Sequence, residues 1–324
     1  MSGTQRSEHI VRPPALYPNA TIGLIAPASP PLPAHQVQEG IQQLKRRGFR
    51  IKQLRTALPA TGYLAGSDTE RLWELNTFLR DPEVDALFCL RGGYGTLRIL
   101  SGVDYTAART NPKLLIGYSD ITALQLALLK QAGLPSLSGP MVAVDWPHLS
   151  PASERSFWQL ARGEAPLELQ GPDGEPLIPV YPGTAEGLLI GGNLSLITRL
   201  IGTPFLPNLQ GALLFVEDVG EKPYQVDAQL AHLLLAGILP QLGGLIFGAF
   251  TESDPPRDRP SWTIEEVIAD YAKKLRIPVA RGLVYGHIPE KVTMPIGARA
   301  LLEVTGEHAH LTVLEPVVNP LQPT

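Results

Sequence analysis

Between residues 21 and 144, short apolar runs alternate with stretches of helical periodicity, the pattern of a parallel sheet covered by helices. The run Thr21-Ile22-Gly23-Leu24-Ile25-Ala26-Pro27 predicts a first strand ending in a loop, and residues 37–47 predict a helix stopped by Gly48. Ser67-Asp68-Thr69-Glu70 has the form of a capping box, Ser67 accepting from the first turn and Glu70 reaching back, and opens a helix to about Leu79. Residues 84–90 and 113–116 predict two more strands. The first leads into Arg91-Gly92-Gly93-Tyr94-Gly95-Thr96. The second leads through Gly117-Tyr118-Ser119 into a helix that Gly133 and Pro135 terminate.

The texture changes over residues 147–187, where prolines stand at 147, 151, 166, 172, 176, 179 and 182 and long apolar runs are few. This segment is expected to cross between domains. A second domain follows from 188, with strands at 213–216 and 245–247 and helices at 225–235 and 264–275. Residues 298–314 alternate like an antiparallel or barrel-type sheet, so this domain is mixed α/β. A chain of 324 residues suits two domains. The expected organisation is a tail at 1–20, a parallel α/β domain at 21–146, the crossing at 147–187 and a mixed domain at 188–324.

Composition narrows the possible partners. With a net charge of −4 the chain has no basic stripe for nucleic acid. Its single cysteine, Cys89, lies in an apolar run, so a buried structural thiol in a reducing cytoplasm is expected. The first twenty residues lack the apolar core of a secretory signal. The most apolar window, 230–250, approaches the roughly 20 residues of a membrane span. His232, Pro240, Gln241 and Gly243-Gly244 divide it into a helix, a turn and a strand, and no membrane partner is expected.

Ser119 stands where a buried strand turns into a helix, a place that can expose a hydroxyl while backbone N–H groups point at the same spot. The usual nucleophile elbow has glycine two residues to either side; Gly117 supplies the first and Ile121 occupies the second position. The alternative is that Ser119 or Asp120 simply caps the helix. The Arg91–Thr96 loop lets backbone amides approach an anion, as an oxyanion hole, a phosphate cradle or a plain turn. GGYGT resembles the GGDGT loop of the NAD kinase and diacylglycerol kinase group, with Tyr94 in place of the acid. Neither a P-loop nor the complete dinucleotide fingerprint is present.

A serine nucleophile needs a base, and the base an orienting group. Of the seven histidines (9, 35, 148, 232, 287, 308 and 310), His232 reads as a packed helix residue. His308 and His310 share a strand face without a third metal ligand at evident spacing. His287 ends the strand-like run Gly282-Leu283-Val284-Tyr285, where a loop can aim it into a cleft. Glu217 follows the buried-looking strand 212–216, and a carboxylate there must be paired or hydrogen-bonded.

Five colinear segments resemble the LD-carboxypeptidase family of serine peptidases, which includes the microcin C immunity proteins. They are IAPASP, LRGGYGTLRIL, IGYSDITAL, GGNLSLI with FVEDVGEKPYQVD, and YGHIPEKVTMPIGARALL. The resemblance implies a Rossmann-like N-terminal domain bearing Ser119 and a C-terminal domain supplying Glu217 and His287 as the rest of a triad. It also implies an oxyanion hole from the N–H groups of Gly92 and Asp120, a homodimer, no metal or cofactor, and a murein tetrapeptide losing its terminal D-alanine in cell-wall recycling. Gly93, Tyr94 and Asn193 are the expected substrate contacts, with a buried turn bracing the domain interface as the other reading of Asn193. Two alternatives remain: an amide hydrolase of aminoacyl-nucleotide analogues, with Trp146, Trp158 or Trp262 stacking on the base, and a non-catalytic binding protein using the RGGYG loop as an anion cradle.

Overall fold

The computed structural model describes residues 10–56, 58–171 and 174–320. His9 and Pro172 lie outside them. The first part of the chain contributes strands β1 (Thr21–Ile25), β2 (Arg50–Gln53), β3 (Ala86–Cys89), β4 (Leu114–Gly117) and β5 (Ser136–Ser138), with helices α1 (His35–Arg46), α2 (Asp68–Arg80), α3 (Tyr105–Thr110) and α4 (Ile121–Ala132) between them. The proline-rich segment holds α5 (Pro151–Ala161), β6 (Leu167–Glu168) and β7 (Ile178–Tyr181). Then follow β8 (Gly183–Asn193), α6 (Leu194–Arg199), β9 (Leu213–Val219), α7 (Pro223–Leu235), β10 (Gly244–Thr251), α8 (Ile264–Leu275) and β11 (Val279–Arg281). The chain closes with β12 (Met294–Ile296), β13 (Ala298–Val304) and β14 (Ala309–Val313).

The first sheet has the order β2-β1-β3-β4-β5-β12. Its first five strands are parallel, as the buried run-and-helix alternation requires, and β12 is antiparallel to β5. Thus Met294–Ile296, far along the chain, completes the Rossmann-like sheet. The second sheet has the order β6-β14-β13-β8-β9-β10-β11-β7, parallel through β8 to β11 and antiparallel outside them. Its edge strands β6 and β7 are joined by a short segment in which Leu177 bridges to Ala309. The two edges therefore approach each other and the sheet curls into a half-barrel. In β13 buried and exposed residues alternate, as the period-two pattern of 298–304 requires.

Local chemistry sets the helices. Ser67 Oγ accepts from Glu70 N at 3.2 Å and Glu70 Oε2 accepts from Ser67 N at 2.7 Å, the reciprocal pair expected from SDTE. In α1, Val37, Gly40, Ile41 and Leu44 form the buried face. The helix α4 is apolar nearly all round because it is buried on nearly every side, packing on α3, α6 and strand β8 of the second sheet. Its Gln125 Nε2 donates to the carbonyls of Gly117 and Leu137 at 3.0 and 2.9 Å, fixing the helix to β4 and β5. Two expectations change. His232 lies on the exposed side of α7 rather than packed, and the strand that precedes His287 is Val279–Arg281 rather than 282–285. Gly282, at φ 79°, ends the regular strand, although Tyr285 O still accepts from Ala249 N at 2.9 Å.

Gly40 shows how closely α1 is seated: a Cβ there would lie 1.9 Å from the Val142 carbonyl oxygen. Ala at this position gains about 1 kcal/mol of helix propensity but displaces backbone, an overpacking cost of about 1–3 kcal/mol. Gly40→Ala is expected to lower the melting temperature, and a raised melting temperature in thermal denaturation would contradict the contact.

Candidate active site

The turn after β4 places Ser119 at φ 65°, the left-handed region that a non-glycine residue adopts only under constraint. The constraint is visible on both sides. Behind the turn, Gln125 holds the Gly117 carbonyl; in front, Gly92 leaves so little room that a Cβ would sit 3.0 Å from Ser119 Cβ and 3.2 Å from its Oγ. Ser119 Oγ is 2.9 Å from His287 Nε2, and His287 Nδ1 is 2.7 Å from Glu217 Oε2. The three residues thus lie in one hydrogen-bonded line that starts on the first sheet and ends on the second.

Glu217 lies within β9, not beyond its end, and has no solvent exposure. Such a carboxylate is stable only where its oxygens are matched. Asn193, its register neighbour on β8, donates from Nδ2 to Glu217 Oε1 at 3.3 Å and to Asp218 Oδ1 at 2.9 Å. Asn193 Oδ1 also accepts from Leu196 N, capping α6. Its amide is therefore hydrogen-bonded within the protein, to both acidic side chains of β9 and to the first turn of α6. Gly286 is required beside it, with φ 134° and a hypothetical Cβ 3.0 Å from Glu217 Oε2.

Neither Ser119 nor Asp120 caps α4 with its side chain. Asp120 Oδ2 instead accepts from Thr96 N at 2.9 Å, and its carbonyl accepts from Thr96 Oγ1 at 2.6 Å. These bonds tie the serine turn to the glycine loop. Burial pushes the Asp120 carboxyl up, and the Thr96 bonds oppose the shift. Among the described residues no acceptor is recorded for the N–H of Gly92 or of Asp120, and both flank Ser119. Gly93, at φ 103°, and Tyr94 are exposed; Ser29 Oγ accepts from Tyr94 N, and Tyr94 meets Tyr63 edge-on at 5.1 Å. The GGN segment reaches this region too, Asn193 N donating to Thr122 Oγ1 of α4 at 3.0 Å.

The remaining candidates lie apart. His148 is exposed, and His310 pairs with Glu168 on an exposed strand face. Among the described residues no group of three His, Cys, Asp or Glu could hold a metal ion, and no helix is long and apolar enough to cross a membrane. Trp146 is buried against Phe88 and Phe157, Trp158 stacks on Phe49, and Trp262 alone of the three proposed stacking residues is largely exposed. Cys89 is buried and its thiol is pushed up by desolvation, as a structural cysteine should be. One feature was missed in the sequence: a buried Lys291–Asp145 pair, with Lys291 bonded to the Tyr118 hydroxyl.

A Ser–His–Glu line at the junction of a Rossmann-like sheet and a curled mixed sheet is the arrangement of a serine hydrolase. Residues 22–139 match the LD-carboxypeptidase N-terminal domain and residues 186–302 the LD-carboxypeptidase C-terminal domain, so the chain belongs to the LD-carboxypeptidase family and is an enzyme of the serine carboxypeptidase class. It is 38% identical over 300 residues to a probable murein peptide carboxypeptidase of Bacillus subtilis, covering 92% of this chain and 93% of that one. It is 33% identical over 292 residues to the murein tetrapeptide carboxypeptidase of Pseudomonas aeruginosa, covering 87% and 92%. The crystal structure of a muramoyltetrapeptide carboxypeptidase from Oxalobacter formigenes superposes with a TM-score of 0.82 at 31% identity, over 93% of this chain and all of that one.

Removing the Asn193 amide leaves buried carboxylate oxygens a donor short, at a cost of about 1–3 kcal/mol. Urea denaturation should show Asn193→Ala destabilised by about that amount, and Asn193→Asp more so because a third carboxylate joins Glu217 and Asp218. Unchanged stability in Asn193→Ala would remove the bracing role.

Proposed function

We propose that the chain is a cytoplasmic LD-carboxypeptidase, active as a homodimer, that removes the terminal D-alanine of murein tetrapeptides in cell-wall recycling. The observation that carries the chemistry is the hydrogen-bonded line Ser119 Oγ to His287 to Glu217. Support for the substrate class comes from relatives named for murein peptides.

In this reading Ser119 Oγ attacks the scissile amide carbon while His287 Nε2 takes the hydroxyl proton. Glu217 accepts from Nδ1–H, holds the reactive tautomer and stabilises the imidazolium that forms. The carbonyl oxygen gathers negative charge as the tetrahedral centre develops, facing the N–H groups of Gly92 and Asp120. Donors so placed contribute roughly 3–4 kcal/mol each in other serine enzymes. His287 then returns the proton to the D-alanine amine, which departs and leaves an acyl-enzyme. Water activated by the same imidazole hydrolyses the ester and restores Ser119. Gly93 and Tyr94, exposed on the loop beside the nucleophile, are the substrate contacts in this reading.

The test is D-alanine release from a murein tetrapeptide. Ser119→Ala and His287→Ala should each lower kcat by at least about 10⁴-fold, with the melting temperature of Ser119→Ala held within about 3 °C. Full activity in Ser119→Ala would sink the mechanism. Turnover of an amide-linked aminoacyl-adenylate analogue faster than the tetrapeptide would reassign the substrate. Gly92→Ala crowds Ser119 and the oxyanion position together and should cost about 10²–10³-fold in kcat.

A further inference from the structure

Four residues beyond His287 the chain places Lys291, 6% exposed, against the Tyr118 ring. Its Nζ donates to Tyr118 OH at 2.9 Å and to Asp145 Oδ1 at 2.8 Å, and lies 4.1 Å from the Tyr118 ring centroid. Tyr118 is the residue before Ser119 and is buried; its ring meets the His287 imidazole edge-on, centroids 5.4 Å apart. Asp145 Oδ2 accepts from Met141 N at 2.8 Å, so the carboxylate is anchored to the first half of the chain. Lys291 N donates to Ser153 Oγ and Thr293 N to Ser156 Oγ, both on α5, and β12 then joins the first sheet. The loop that carries His287 is thus fastened on the nucleophile's side immediately after the histidine.

A buried lysine and aspartate are costly to desolvate, and replacement of such a pair by apolar residues is often neutral or stabilising. Stability alone is then a weak account of why a largely buried pair stands one ring away from the imidazole. The contacts have a clearer geometric consequence. Tyr118 is gripped at its hydroxyl and over its face by a residue of the His287 loop, while its backbone leads directly into Ser119. We propose that Lys291 and Asp145 are positioning residues that fix Tyr118 and, through it, the Ser119–His287 distance, while cancelling each other's charge beside the imidazole. This inference rests on the reading of Ser119 and His287 as nucleophile and base.

The charge arrangement gives the proposal a signature that a merely structural role lacks. The groups around His287 are Glu217 and Ser119, bonded to it, Tyr118 against its ring, and the Lys291–Asp145 pair, bonded to Tyr118 through Lys291. Tyr285, whose hydroxyl bonds to Ser138 Oγ, adjoins Glu217, and the Asp120 carboxylate is turned toward Thr96. Lys291→Met leaves an uncancelled carboxylate, which favours the imidazolium and moves the acid limb of the kcat/KM profile to higher pH. Asp145→Asn leaves an uncancelled ammonium and moves the limb to lower pH. Lys291→Met/Asp145→Asn removes both charges, so the limb returns to its wild-type position while the clamp stays broken.

The experiment measures kcat, KM, pH profile, far-UV circular dichroism and the labelling rate of a serine-directed fluorophosphonate for these variants, Lys291→Arg, Ser119→Ala and wild type. The double variant is the main test because it leaves no unpaired buried charge. It should keep the fold and KM within about threefold while losing about 100-fold in kcat, the scale of a misplacement near 1 Å, with labelling slowed in parallel. Lys291→Arg should recover part of the loss. A folded double variant with kcat within about twofold of wild type, or acid limbs that do not move in opposite directions in the single variants, overturns the proposal. Unimpaired release by Ser119→Ala would instead overturn the triad reading, so the two failures are distinguishable.

Discussion

The site depends on one constraint: Glu217 is a carboxylate with no access to water in the middle of a parallel strand. Every oxygen it presents has to be met by a donor, and the surrounding sequence is arranged around that need. Asn193 reaches across from the neighbouring strand, the His287 ring supplies the second contact, and Gly286 keeps a side chain out of the space. The same arrangement orients the imidazole, because a ring whose Nδ1 faces a buried acceptor has only its Nε2 left to face Ser119. A structural requirement of the second sheet thereby aims an imidazole nitrogen at a hydroxyl on the first.

On the other side the constraint is backbone strain. Ser119 occupies a left-handed conformation without the benefit of being glycine, and the cost, of order 1–3 kcal/mol, is offset by bonds that hold the turn from several directions. Gln125 secures the strand end, Thr96 secures Asp120, and the packed helix α4 lies behind. Strain and burial are thus concentrated on opposite faces of the same junction. The substitutions that relieve either one are those that would disturb the line between them.

Much of this was legible in the sequence because it rests on short-range signals. The capping box at Ser67 needs only residues three apart, and the strands of the parallel sheet are continuous apolar runs bounded by turn residues. Ser119, Glu217 and His287 could be named because their segments resemble a family in colinear order; local chemistry alone left Ser119 between nucleophile and cap. For Asn193 a bracing turn was one of two readings, but its partner Glu217 was not legible, since that depends on register between β8 and β9. His232 was misjudged because its helix is apolar in composition but exposes that face. The strand before His287 was misplaced because Gly282 breaks regular geometry while some pairing to β10 continues. Lys291 and Asp145 lie 146 residues apart, and nothing in either segment announces the other.

The antiparallel pairing of β12 with β5 bears on how such a molecule can be divided. The chain passes from the first sheet to the second, supplies the acid and histidine, returns to add an edge strand to the first, and goes back again to finish the half-barrel. Neither half of the sequence is therefore a self-sufficient module: the N-terminal half alone would leave β5 as a bare sheet edge, and the C-terminal half alone would carry a strand with nothing to pair against. The two halves are bound to a shared history, inherited, duplicated or lost together, and an exchange of one half between relatives would have to match the borrowed edge strand as well as the residues of the line.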